Sequence, residues 1–90
     1  MTKNYDAASA AHRRLRPQVK RAITQHHYGR AISLCAEAYD AFDAAGVSVD
    51  DWAFYLRSAE DAYSAARRGD IFTDQQLAAM GAVVADLRVR

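Results

Sequence analysis

Ser48-Val49-Asp50-Asp51-Trp52-Ala53-Phe54-Tyr55-Leu56-Arg57-Ser58-Ala59-Glu60-Asp61-Ala62-Tyr63-Ser64-Ala65-Ala66-Arg67-Arg68-Gly69 decides the fold class. Val49, Trp52, Leu56, Ala59, Tyr63 and Ala66 recur at alternating spacings of three and four, which is one face of an α-helix. Ser48 followed by Asp51 makes a start resembling a capping box, with the acid in the first turn. Arg67-Arg68-Gly69 makes an end: cations beside the negative helix terminus, then a residue that accepts a left-handed backbone. The spacing predicts a helix over 49–68.

Outward from it, both flanks are helical. Thr73-Asp74-Gln75-Gln76 is a capping box with Phe72 and Leu77 at the positions of a hydrophobic staple. It opens a helix over 74–88 whose core face is Leu77, Met80, Val84 and Leu87. Upstream, Tyr28, Ala31, Ile32, Cys35, Tyr39 and Phe42 lie on one side of a helix over 29–45, which Ala45-Gly46 ends. Tyr5, Ala8, His12, Leu15, Val19, Ala22 and His26 keep a single phase across Pro17. An interior proline costs roughly 3 kcal/mol, so the segment 5–27 is expected to kink or restart there.

The 90 residues make one domain, 51% of them apolar, with only four Gly and one Pro. That scarcity speaks against an all-β fold, whose turns consume both residues. The connections are short, so neighbouring helices are antiparallel. The expected fold is all-α: a compact antiparallel bundle of four to five helices, one domain over 1–90.

Residues 27–39, His27-Tyr28-Gly29-Arg30-Ala31-Ile32-Ser33-Leu34-Cys35-Ala36-Glu37-Ala38-Tyr39, resemble the turn and second helix of a tetratricopeptide repeat, or of a microtubule-interacting-and-trafficking hairpin. Tyr28, Ala31, Ile32 and Ala38 carry the resemblance. It covers about a third of the chain. No second copy follows at the repeat period, and Asp43 stands where the usual proline would be. The resemblance implies a protein-binding role.

Charge is unevenly spread. The formal net charge is +1, yet residues 1–30 carry a balance of +6 and residues 31–66 a balance of −6. Arg13, Arg14, Arg16, Lys20 and Arg21 form a basic run able to grip phosphates. Glu37, Asp40, Asp43, Asp50 and Asp51 form an acidic one, and Phe54, opposite the Trp52–Leu56–Tyr63 seam, is a candidate interface anchor beside it. Ala78, Ala82 and Ala85 make a small-residue strip that admits another helix closely.

The expected chemistry is sparse. His26 and His27 are adjacent and point apart, and His12 and Cys35 lie on core faces, so no metal site and no cofactor are expected. Carboxylate pairs such as Glu60-Asp61 sit on polar faces rather than in apolar clefts, so no enzyme is expected. With one cysteine, no apolar run near 18 residues and no signal-peptide pattern, a reducing cytoplasm without membrane contact is the expected location.

The leading expectation is a small interaction protein (adaptor, regulator or inhibitor) that occludes another protein through charge-steered contact. Its size fits inhibitors from phages and mobile elements, anti-CRISPR proteins among them. The acidic run would engage a basic nucleic-acid-binding surface on the partner. The alternative is direct nucleic-acid binding through Arg13, Arg14, Arg16, Lys20 and Arg21. The third is a self-associating module, a homodimer joined at Phe54 or at the alanine strip.

Overall fold

The computed structural model describes residues 3–48 and 52–90. Four helices follow one another: α1 (Tyr5–Thr24), α2 (Tyr28–Ala45), α3 (Trp52–Gly69) and α4 (Asp74–Val89). No strand occurs among the described residues. The number is four because α1 neither breaks nor restarts at Pro17, which lies inside it. Pro17 withholds the donor that the Arg13 carbonyl would receive, and both residues are exposed, where water can take its place. One turn on, the Gln18 side-chain amide donates to the Arg14 carbonyl at 3.0 Å.

Local chemistry sets the ends. Asn4 Oδ1 accepts from the Ala7 N–H at 3.0 Å and caps α1. The Asn4 N–H donates to the Ala45 carbonyl at 2.9 Å, tying the start of α1 to the end of α2. Gly46 closes α2 with φ 67°, a left-handed conformation that costs glycine nothing. Thr73 and Gln76 exchange both hydrogen bonds of the capping box, at 3.1 and 2.8 Å. That box is worth about 1 kcal/mol to α4.

Links of three, six and four residues make each helix run antiparallel to the one before it. The result is two hairpins, α1–α2 and α3–α4, laid side by side. α2 is the central helix: it packs against α1, α3 and α4. Its nine buried residues include Ala31, Cys35, Ala38 and Phe42, all at 2% exposure or less. Small residues at Ala31, Cys35 and Ala38 let the flanking helices approach closely. α3 repeats the burial register of α1 at one constant offset along the chain: Ala8, Ala11, Leu15 and Val19 correspond to Tyr55, Ser58, Ala62 and Ala66.

The inward face of α3 therefore differs from the expected one. Tyr55, outside the expected stripe, is fully buried, and Leu56 and Tyr63 within it are half-buried. Tyr55 meets His12, Phe42 and Phe54 edge-on, with ring centroids 5.8, 5.7 and 5.0 Å away. Its hydroxyl and His12 Nδ1 share a hydrogen bond at 2.8 Å. This pair supplies a polar contact between α1 and α3. In α1, Ala11 lines the core where His12 was expected, and Tyr5 and His26, at the ends of the expected stripe, are exposed. Val49 and the Trp52 side chain lie outside the described residues.

Candidate partner-binding faces

The basic run on α1 does not act as a unit. Arg14 Nη1 donates to Glu37 Oε1 of α2 at 3.1 Å. The Arg16 guanidinium stacks on the Phe54 ring, 5.0 Å from its centroid. Phe54 is thus half-buried between Arg16 and Tyr55 rather than free as an outward anchor. Part of its ring remains at the surface. Arg13, Lys20 and Arg21 are exposed and form no ion pair with any described residue.

The acidic run is also divided. Glu37 faces α1, through Arg14. Asp40 and Asp43 face α4, where Arg90 Nη1 donates to both at 2.6 and 3.3 Å. The same guanidinium donates from Nε to Asp86 Oδ2 at 3.1 Å, and its Nη2 lies at ion-pair distance, 3.1 Å, from the same oxygen. Three carboxylates on two helices thus share one cation, leaving negative charge in excess. The bond to Asp40 raises the Arg90 pKa above its ordinary value, so the guanidinium stays charged. Asp50 and Asp51 lie outside the described residues.

The same α2–α4 seam opens, toward the N-terminal ends of both helices, into a groove of about 350 Å³. Ile32, Phe72, Ala79, Met80 and Val83 give it an apolar floor, with Ser33 and Gln76 at its edge. Sequence reasoning missed it, because it needs the parallel neighbourhood of α2 and α4, which no local pattern announces. The signal available in hindsight is α4 itself: apolar residues occupy nearly every side of it, and the packed seam Met80, Val84 and Leu87 uses only one. Ala78, Ala82 and Ala85 lie on the exposed side.

The groups with chemical potential are held in structural roles. Cys35 is buried, and burial pushes its thiol pKa up to about 12. His26 Nδ1 and the Tyr28 hydroxyl share a hydrogen bond at 2.6 Å across the α1–α2 turn. Among the described residues no three His, Cys, Asp or Glu are grouped to hold a metal ion. No helix among them is long and apolar enough to cross a membrane. Comparison with known proteins finds no matching family model, no matching curated protein and no matching solved structure.

Proposed function

We propose that this chain is a non-catalytic protein-interaction module whose working face is the α2–α4 seam. The observation that carries the reading is that one seam between α2 and α4 holds both an apolar groove over Ile32, Phe72, Met80 and Val83 and, further along the same two helices, Asp40, Asp43 and Asp86, which among the described residues share the single cation Arg90. The occupant that fits is a basic amphipathic helix of another protein. Its apolar side enters the groove and its cations meet the surplus carboxylates. Such helices are common on nucleic-acid-binding proteins, and covering one excludes its nucleic acid by steric occlusion. This keeps Asp40 and Asp43 as contact residues, while Glu37 is turned toward α1 and Phe54 packs beneath Arg16.

The test uses exposed positions, so folding is preserved. Affinity capture from the native host identifies the partner, and its binding is then measured with Ala79→Arg and with Asp40→Lys/Asp43→Lys. The first fills the groove and the second reverses the charged end. Circular dichroism confirms that helix content is kept. Loss of binding in both variants supports the seam; unchanged binding in both removes it.

A further inference from the structure

The α1–α2 and α3–α4 turns lie at the same end of the molecule, since Gly29 of one and Phe72 of the other line one groove. Around these turns stand five exposed cations: Lys20 and Arg21 near the end of α1, Arg30 in the first turn of α2, and Arg67 and Arg68 at the end of α3. None of the five takes part in an ion pair with a described residue. The described ion pairs join Arg14 to Glu37, Arg88 to Glu60, and Arg90 to Asp40, Asp43 and Asp86. Arg30 donates only to the neutral Gln18 Oε1, at 3.4 Å, and Arg67 lies over the Tyr63 ring. The carboxylates of this end, Asp70 and Asp74, leave all five cations free.

Helix electrostatics explain some of these charges and not others. Arg21, Arg67 and Arg68 sit in the last turns of their helices, where the dipole favours cations, and Lys20 lies just before. Arg30 sits in a first turn that holds no acidic residue, where the dipole disfavours it.

We infer that this turn end is a phosphate-backbone contact surface for nucleic acid. Four of the five cations are arginines, whose planar guanidinium binds phosphate through two parallel bonds. Arg67 and Arg68, with Ser64, border a recess of about 310 Å³, room for one phosphodiester. The five cations are spread over three helices, at the ends of α1 and α3 and the start of α2. A polyanion bridges that span with one ligand, whereas a small anion meets only one or two of the cations. A membrane surface fits less well: one large apolar side chain, Ile71, is exposed here, and Asp70 beside it would be repelled by anionic headgroups. The residues are separate from the α2–α4 seam, so either reading can fail alone.

The test is fluorescence anisotropy with a labelled 20-base-pair duplex of random sequence, titrated at several salt concentrations. Five phosphate contacts predict a log–log salt slope near −4.5, so raising salt from 50 to 200 mM weakens binding by about 500-fold. Arg67→Gln/Arg68→Gln, and separately Lys20→Gln/Arg21→Gln, each lower the slope by about two. These are exposed positions, and circular dichroism checks that both variants fold. Arg13→Gln, on the α1 flank, leaves the slope unchanged. No binding at 50 mM salt overturns the inference. So does equal binding to polyglutamate at matched salt, or binding to phosphatidylserine vesicles without binding to the duplex. If Arg13→Gln costs as much as the paired variants, the contact lies on the α1 flank and the turn-end assignment is wrong.

Discussion

Tyr55 is the residue on which the two possible registers of α3 disagree, so truncating it tests the packing directly. It is fully buried, has three aromatic rings edge-on to it, and shares a hydroxyl hydrogen bond with His12. Removing a buried aromatic side chain costs about 3–5 kcal/mol. The whole domain, at roughly 0.05–0.15 kcal/mol per residue, holds about 5–13 kcal/mol. Tyr55→Ala therefore removes a large share of the stability. Tyr55→Phe keeps the ring and loses one hydrogen bond, for about 1 kcal/mol, or about 4–8 °C in Tm. Leu56→Ala, at a half-buried position, costs about 1–2 kcal/mol. The assay is urea unfolding followed by circular dichroism at 222 nm, with His12→Ala and the double variant completing a cycle. Coupling of about 1 kcal/mol between His12 and Tyr55 is expected. If Leu56→Ala costs more than Tyr55→Ala, Tyr55 is at the flank after all and this packing is refuted.

Two further outcomes follow from buried or crowded groups. Because burial raises the Cys35 thiol from 9.0 to about 12, the folded chain keeps a proton that the unfolded chain releases. Stability is then full below about pH 9 and falls by about 1.4 kcal/mol per pH unit above it. Urea midpoints at pH 8, 9 and 10 measure this, and an unchanged pH dependence in Cys35→Ala would refute it. At Gly81 an added Cβ would meet the Tyr63 hydroxyl at 2.8 Å and its ring carbon at 3.1 Å. Gly81→Ala is expected to lower Tm despite a helix-propensity gain of about 1 kcal/mol, and to raise it in a Tyr63→Leu background; a rise in both backgrounds would show that the ring yields freely.

What was legible in the sequence was local. The Thr73–Gln76 box, the Gly46 stop and the unbroken apolar phase across Pro17 each depend on residues within a few positions of one another, and each appears where that chemistry places it. The inward face of α3 was not legible, because its first turns carry Phe54, Tyr55 and Leu56 in succession and offer overlapping apolar faces. The helix uses a wide arc: Phe54 and Tyr55 toward α1 and α2, Leu56 and Tyr63 among the residues packed on the core from beyond it. Periodicity selects the most regular stripe, whereas the fold selects what α1 and α2 leave room for. The candidate sites were half legible for the same reason. Glu37, Asp40 and Asp43 are exposed as expected, but their partners Arg14 and Arg90 come from other helices, and no spacing rule connects Asp40 to a residue fifty positions away.

The distribution of charge follows from loop length. Had α1 and α2 run parallel, Arg13, Arg16 and Lys20 would stand beside Glu37, Asp40 and Asp43, and the two blocks would neutralise each other. The link between α1 and α2, residues 25–27, is too short for a parallel return, so the helices must run antiparallel. The basic second half of α1 then lies beside the first half of α2, which offers it Glu37 at mid-helix and Arg30 at the turn. Asp40 and Asp43 are carried to the opposite end and depend on Arg90. α3 adds to the separation, since it ends in Arg67 and Arg68 at the turn end. A chain that is nearly neutral in sum thereby gains one cationic end and one strip of surplus carboxylate. These are two surfaces able to attract partners of opposite sign, and a single reversed helix would have cancelled both.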